Sequence, residues 1–442
     1  MMGADYERPA MPSPTEFRFV DEPQAETLTN LPWWEVFDDQ ILQDLIREAI
    51  ANNLDLRAAI ARVEEARARA GIARSYLYPQ IDGVAGYGVR QASNSDDDES
   101  TSQGANYGFQ LSWELDLFGR LRRQEEAAVA LVLATDQARR GVLVTLISDL
   151  ASNYFLLREL DVQLEIALRT LALNDETVAY FRNRLEGGVA NRLELDRITA
   201  NRARTAAAIP EIERQRALVE NLISFIAGRL PGPIFRTRPA LEPLPLPPPV
   251  PPGLPAALLE KRPDIAEAEQ ILVAANANIG AAKALFFPTI SLTGFLGGVS
   301  GDLTQFIGSE GAVWSLAGNL FQPIFQGGRL QRNVEAEQAR FDAALANYMR
   351  AALNGYREVA DALVTIQKLA QIRTELEVGV LALQDASELA RVRYDSGLAS
   401  YIEILTADQE LFEQQLLLAQ TMGAEMRGRA NLYRALGGGW DF

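Results

Sequence analysis

Carboxylates are the main reactive side chains in this sequence, because its 442 residues include no Cys and no His. Thiolate nucleophiles, the usual zinc ligand sets and imidazole general bases are therefore excluded. No short motif indicates carboxylate catalysis or a phosphate-binding loop, so we predict no enzyme, no metal site and no cofactor. The net charge of −17 argues against a nucleic-acid partner, which would need a concentrated basic face.

Two of these carboxylates, Glu194 and Glu403, occupy equivalent places in an internal repeat with an offset of 209 residues. The same offset relates several other features. They are Asp55 and Asp264, Gly71 and Gly280, Pro79 and Pro288, the Gly-Arg-Leu triplets at 119–121 and 328–330, and Gly188 and Gly397. A constant offset over about 140 residues predicts a tandem duplication in which each half is one structural unit.

Four segments are predicted along the chain: an extended N-terminal segment (1–37), a first repeat (38–230), a connector (231–257) and a second repeat (258–442). The connector is proline-rich, since residues 231–255 hold 11 of the 21 prolines. Proline cannot continue a helix, so this segment is predicted to be an extended polyproline strap along the helices, with a disordered linker as the alternative.

Each repeat has the same predicted order of elements. A helix of medium length (38–75 and 258–285) precedes two strands (79–117 and 288–325), a very long helix (120–185 and 329–394), a glycine-containing turn and a return helix (191–228 and 400–436). Apolar residues recur every seven positions in the long helices: Leu143, Leu150, Leu157, Leu164, Leu171 and Val178, then Leu369, Leu376 and Leu383. Such heptads indicate coiled-coil packing, which a soluble scaffold would also show.

The predicted strands alternate apolar and polar residues. The pattern is clearest in residues 107–117, and it recurs around Ile81, Ile290 and in a fourth strand from Trp314 to Ile324. Residues 91–104 are polar and are predicted to be an exposed hairpin loop. Alternation over about ten residues is typical of membrane β-barrel strands, with apolar side chains facing lipid. Two uncharged stretches, 284–301 and 311–328, have the length of a membrane helix, but their Pro, Gly and β-branched residues favour strands.

Four strands are too few to close a barrel, because the smallest membrane barrels have eight. An open sheet edge in lipid would leave unpaired backbone groups that cost several kcal/mol each. The pattern therefore predicts an oligomer, and three copies would supply twelve strands.

Several motifs resemble the TolC-like outer-membrane factor family, and within it the OprM-like lipoprotein branch of RND efflux systems. They are Asp5-Tyr6-Glu7-Arg8-Pro9, the run from Trp113 to Arg120, Arg262-Pro263-Asp264-Ile265, residues 275–280 with Phe287-Pro288, and the closing residues 435–440. The resemblance covers nearly the whole chain.

The resemblance implies an α+β membrane protein: a homotrimer with a twelve-stranded transmembrane β-barrel in the bacterial outer membrane, continuous with a long α-helical coiled-coil tunnel in the periplasm. The implied function is passive efflux of drugs and other small molecules, received from a periplasmic adaptor and an inner-membrane RND-type pump. The branch usually has an acylated Cys shortly before the Asp-Tyr motif, whereas Met stands there in this sequence. The residues after Met1 show no basic and then apolar run, so no signal peptide is predicted.

The resemblance also implies a gate and an adaptor contact at the two helix turns. The gate candidates are Glu186, Glu194, Arg393, Tyr394, Asp395 and Glu403. Repeated around a threefold axis, Glu194 and Glu403 would form carboxylate rings that attract cations. A second carboxylate of the family's gate corresponds to Thr406 here, which departs from the pattern.

The predicted docking tip comprises Gly188, Val189, Leu193, Gly397, Leu398 and Ile402. Glycine permits the tight reversal, and the apolar residues would contact an adaptor. Ordinary helix capping explains the glycines equally well. Two alternative functions remain open: the same kind of duct serving type I protein secretion or metal export, and a soluble coiled-coil scaffold with no channel.

Overall fold

The computed structural model describes residues 1–11, 14, 17, 34, 37, 39–93, 99–236, 261–300 and 312–438. The predicted N-terminal segment is only partly covered, and most of the predicted connector, from residue 237 onward, lies outside the described residues. Within the described part, helices and one four-stranded sheet make up the fold. The predicted α+β class with four strands in each chain is therefore confirmed.

The first repeat contains α1 (Gln40–Asn52), α2 (Leu54–Ser75), β1 (Gln80–Ser93), β2 (Glu99–Leu115), α3 (Arg120–Glu186) and α4 (Arg192–Ile226). The single helix predicted for 38–75 is in fact two helices separated by Asn53. Asn53 has an extended backbone, and its side-chain oxygen accepts a hydrogen bond from the Leu56 amide at 2.9 Å. Its side-chain amide donates to the carbonyl of Ile226 at 2.9 Å, so a contact distant in sequence stabilises the break.

The second repeat contains α5 (Pro263–Ala284), β3 (Thr289–Ser300), β4 (Ala312–Phe321), α6 (Arg329–Asp395) and α7 (Tyr401–Ala435). The elements α2, β1, α3 and α4 begin 209 residues before α5, β3, α6 and α7 respectively. Helix α5 starts at Pro263, and proline is favoured in the first helical turn. The predicted start near residue 258 lies outside the described residues. Strand β4 ends at Phe321, so the prediction that it includes Ile324 was wrong; Pro323 lacks the amide that a ladder requires.

The sheet has the order β1-β2-β3-β4, and every neighbouring pair is antiparallel. Strands β1 and β2 pair as far as Ser93 and Glu99. The loop predicted for 91–104 is thus much shorter, because both strands extend into it; residues 94–98 lie outside the described part. One face of the sheet carries large apolar side chains at aligned positions: Ile81, Tyr107, Phe109, Leu111, Leu292, Leu296, Trp314, Leu316 and Leu320.

The opposite face of the sheet is more polar. Asp82 lies opposite Gln110, Ser112 opposite Thr293, and Ser291 opposite Asn319. The Asn319 amide donates a hydrogen bond to the Thr293 hydroxyl at 3.1 Å. The sheet therefore has an apolar and a polar surface, as the period-two alternation predicted.

The contacts divide the chain into two units. The first contains residues 1–11, 60–138 and 266–351 and includes the sheet. In this unit Arg123 is almost fully buried and binds the N-terminal residues: it donates to the carbonyl of Met2 at 3.1 Å and to the Asp5 carboxylate at 2.8 Å. A Cβ atom at position 280 would lie 2.6 Å from the Met2 carbonyl oxygen, so glycine at this position lets the N-terminal segment pack closely against α5.

The second unit contains residues 12–59, 139–265 and 352–442. Its main core includes the buried heptad residues Leu143, Leu150, Leu157 and Leu164 of α3. Val178, farther along the same heptad, is buried in a separate cluster with Phe181 and Ile198. Tyr154 and Ile46 are fully buried in the same unit, and Tyr154 donates to the Asp39 carboxylate at 2.7 Å. Among the described residues, no helix is both long and apolar enough to cross a membrane.

Candidate functional site

The two helix turns predicted to form the gate and the docking tip both lie in the second unit. Helix α3 ends at Glu186 and helix α6 at Asp395, and each reverses through a glycine with positive φ: 75° at Gly188 and 70° at Gly397. The amide of Val189 donates to the Arg184 carbonyl at 2.9 Å, and the amide of Gly188 to the Leu185 carbonyl at 3.0 Å. This pair of bonds defines a Schellman motif.

The second turn repeats the motif. The Leu398 amide donates to the Arg393 carbonyl at 2.9 Å, and the Gly397 amide donates to the Tyr394 carbonyl at 2.9 Å. A residue with Cβ would be strained at either glycine because its φ would lie in the left-handed region. The glycines therefore have a structural role that is the same in both repeats.

The two glutamates that follow the turns have different environments. Glu194 forms a capping box: its amide donates to the Asn191 side-chain oxygen at 2.9 Å, and its carboxylate accepts from the Asn191 amide at 3.4 Å. Glu403 follows Ser400, which makes no side-chain capping bond, and its carboxylate lies 3.5 Å from the Arg393 guanidinium. The Glu194 carboxylate thus binds its own helix, whereas Glu403 links α6 to α7.

Tyr394 belongs to an aromatic cluster between the helices. Phe181 is buried at its centre, with its ring centroid 4.4 Å from that of Tyr401 and 6.2 Å from that of Tyr394. Burial raises the pKa of Tyr401 to about 12, and burial is also the main cause of the raised pKa of Tyr394. Both phenols are therefore neutral at physiological pH and can donate and accept hydrogen bonds.

Arg184 joins this cluster from α3. It donates to the Tyr394 hydroxyl at 2.9 Å and to the Tyr180 hydroxyl at 3.2 Å. Its guanidinium carbon lies 5.8 Å from the centre of the Tyr394 ring, within the range of a cation–π interaction. Sequence reasoning missed Arg184, although the 209-residue offset relates it to Arg393, which was selected.

A second link between α6 and α7 lies farther from the turn. The Asp408 carboxylate accepts from the Arg391 guanidinium at 3.1 Å and from the hydroxyl of buried Ser387. Sequence reasoning did not assign Asp408 a role, because its partners are 17 and 21 residues away. Glu186 and Asp395 are exposed at the ends of their helices, and Thr406 is exposed on α7.

The apolar residues of the predicted docking tip are all exposed. The exposed fractions are 65% for Val189, 61% for Leu193, 72% for Leu398 and 47% for Ile402. They form two pairs related by the repeat offset, so both turns present an aliphatic surface. No cluster of potential metal ligands occurs among the described residues.

Comparison with known proteins gives one consistent result. The sequence model of the family described as outer membrane efflux protein matches residues 45–229 and 254–438. The cation efflux system protein CusC of Escherichia coli O6:H1 is 35% identical over 446 residues, which cover 100% of this chain and 96% of the relative. The solvent efflux pump outer membrane protein SrpC of Pseudomonas putida is 37% identical over 457 residues, covering 99% of this chain and 95% of the relative.

Solved structures agree with these sequence matches. The outer-membrane channel OprN superposes with a TM-score of 0.91 at 30% identity, covering 100% of this chain and 99% of that one. A CusC structure superposes with a TM-score of 0.87 at 34% identity, covering 99% of both chains.

Proposed function

This chain belongs to the outer membrane efflux protein family, and from that premise we propose that three copies form a passive duct for small molecules, gated at the helix turns. The chain is the outer-membrane channel component of a tripartite efflux system, with its helical part in the periplasm. In this proposal its partners are a periplasmic adaptor, an inner-membrane RND-type pump and outer-membrane lipid.

The observation that carries the proposal is the two-faced sheet with two free edges. Its apolar face suits contact with lipid, and its polar face suits a water-filled lumen. Within the part of the chain that the structure describes, strands β1 and β4 each have one neighbouring strand. Since an unpaired edge in lipid costs several kcal/mol per backbone group, each edge requires another copy.

The gate proposal assigns roles to the residues at the turns. The hydrogen bond between Arg184 and Tyr394 joins α3 to α6 near the pore. The ion pair between Arg393 and Glu403 joins α6 to α7. Glu186, Glu194 and Asp395 add negative charge around the pore. Opening would require both contacts to separate, because each of them joins two different helices.

The docking proposal assigns the exposed aliphatic residues of the tip to the adaptor. Val189 and Leu193 follow one Schellman turn, and Leu398 and Ile402 follow the other, so an adaptor hairpin would meet similar surfaces at both turns. Gly188 and Gly397 set the geometry of these surfaces. Burial of such side chains is the usual source of affinity at an interface of this type.

The cargo is proposed to be small molecules, selected by the pump. One relative is named for cation efflux and another for solvent efflux, at 35% and 37% identity. Similar identity to both supports a duct that does not itself select cargo. Metal export therefore remains the second candidate, and its support is the name of the cation efflux relative.

The first test is the protein mass of the detergent-solubilised particle, measured by light scattering with the detergent contribution subtracted. We expect the mass of three chains, and steps of ion conductance when the particle is added to a planar lipid bilayer. A monomer that stays folded without detergent would contradict the proposal and favour the soluble scaffold.

A further inference from the structure

The two edge strands of the sheet carry enough information to predict how one copy of the chain joins the next. In an antiparallel pair, the numbers of opposite residues add to a constant. The sum is 192 for β1 and β2, as for Gln80 and Ser112. It is 405 for β2 and β3, as for Ala105 and Ser300, and 610 for β3 and β4, as for Thr289 and Phe321.

These constants show that the two hairpins have the same register. The value for β3 and β4 exceeds that for β1 and β2 by 418, which is twice the repeat offset of 209. Moving both strands of the first hairpin by one repeat therefore reproduces the second hairpin residue by residue. The β2–β3 pairing is the junction between two equivalent hairpins.

In a ring of such hairpins, the next junction joins β4 to β1 of a second copy. Strand β4 takes the place of β2, which adds 209 to the residue number, and β1 takes the place of β3, which subtracts 209. The sum of 405 is unchanged. We propose that β4 of one copy pairs with β1 of the next in this register, with Leu320 opposite the partner's Ala85 and Phe321 opposite the partner's Val84. The proposal rests on the oligomeric channel proposed above.

The faces of the two strands support this register independently. In β1, Ile81 is on the apolar face, as are the other odd-numbered residues; in β4, Leu316 and Leu320 are on it, with the other even-numbered residues. A sum of 405 always pairs odd with even, so the apolar face continues across the junction. A slip by one residue would place apolar side chains opposite the polar face.

The sizes of opposite side chains distinguish the register with a sum of 405 from its two nearest alternatives. These have sums of 403 and 407, and they also keep the apolar faces aligned. On the apolar face, Gly83 lies opposite Phe109, Gly294 opposite Leu111, and Gly298 opposite Tyr107. In the proposed register Gly318 lies opposite the partner's Tyr87, which repeats the pattern of glycine facing a large side chain. With 403 or 407 it would face the smaller Ala85 or Val89.

The lengths of the strands also fit. All ten residues of β4 are exposed in the single chain, and each obtains a partner within β1, from Ala312 with Ser93 to Phe321 with Val84.

Disulfide cross-linking tests the register directly, since the chain has no cysteine of its own. Two double variants contain the matched pairs, Leu320→Cys with Ala85→Cys and Phe321→Cys with Val84→Cys. Adjacent pairs alternate between hydrogen-bonded and non-hydrogen-bonded geometry, so one of the two has the closer Cβ atoms. After oxidation, we expect covalent trimers on denaturing gels without reductant.

Two shifted variants are the matched controls. Leu320→Cys with Gly83→Cys tests the sum of 403, and Leu320→Cys with Tyr87→Cys tests 407. In the proposed register these pairs are diagonal, with Cβ atoms too far apart for an unstrained disulfide. We expect the better matched pair to exceed both controls in yield by about tenfold.

Light scattering on the same unoxidised samples separates the possible failures. Trimers that cross-link better through a shifted pair, or through none of the four pairs, would overturn the register and leave the oligomeric channel standing. Particles of unmodified protein with the mass of one chain would overturn both proposals.

Discussion

Arg184 shows how a single side chain connects two helices that are far apart in sequence. It binds Tyr180 on its own helix and Tyr394 on α6, and its guanidinium lies near the rings of both. Of these two hydrogen bonds, the one to Tyr394 joins α3 to α6, and the one to Tyr180 stays within α3. Because the two tyrosines make the same type of bond, their effects on gating can be separated.

We expect Tyr394→Phe to favour the open channel. The substitution preserves the ring that packs against Phe181 and Tyr401 and removes the acceptor of the 2.9 Å bond. A net loss of about 1 kcal/mol in the closed state would raise the open-to-closed ratio roughly fivefold. Single-channel recordings measure the open probability. Tyr180→Phe is the control, and an equal increase in both variants would contradict a gate formed by the link between helices.

A second prediction concerns Glu403. Its carboxylate is half exposed and lies 3.5 Å from Arg393. In the proposed gate it would contribute negative charge near the pore. Glu403→Gln is expected to reduce the preference for cations, measured as a smaller reversal potential across a potassium chloride gradient in a planar bilayer. Glu410→Gln, an exposed position on the same helix, is the control. An unchanged reversal potential would remove Glu403 from the gate.

At the scale of elements, the turns depend on backbone conformation more than on side-chain contacts. Both long helices end in a Schellman motif, and only the residue with positive φ must be glycine. The first turn contains two consecutive glycines, Gly187 and Gly188, but only Gly188 has positive φ. This difference provides an internal control for the effect of backbone strain.

We expect Gly188→Ala to destabilise the first turn by about 1 kcal/mol, because a Cβ is unfavourable in the left-handed region. Gly187→Ala should be neutral or slightly stabilising, since the added Cβ would be 3.5 Å from the nearest atom and the unfolded chain would lose freedom. Amide hydrogen exchange over residues 184–195 measures both effects. Equal protection in the two variants would argue against the strain.

At the scale of the whole molecule, the sheet determines where the chain can reside. Leu320 and Asn319 are adjacent in β4 but belong to opposite faces, the first apolar and the second bonded to Thr293. The same substitution at these two positions therefore tests which face contacts lipid.

Leu320→Lys is expected to reduce assembly in the outer membrane, because a lysine facing lipid is unfavourable, by up to about 2–4 kcal/mol at the midplane of the bilayer and by less near its surfaces. Asn319→Lys places the same charge on the polar face, where water can solvate it, and should assemble almost normally. The amount of trimer in the isolated outer-membrane fraction measures the outcome. Equal assembly of the two variants would contradict the assignment of faces.

The sequence alone was sufficient for features that depend on neighbouring residues. Heptads predicted the long helices α3 and α6, the glycine-containing turns predicted their C-terminal ends within one residue, and alternation predicted two pairs of strands. The 209-residue offset predicted equivalent elements in both halves, as their bounds show. These signals are local: a helix or strand repeats its pattern every few residues, so a short window contains the information.

The tertiary structure decided features that depend on contacts between distant residues. The break at Asn53 is stabilised by the Ile226 carbonyl, and Arg184 binds Tyr394 across 210 positions. The Glu194 carboxylate caps its own helix, which composition could not distinguish from a pore-facing charge. Strand register is also non-local, because alternation specifies which face a residue occupies but not which residue lies opposite it.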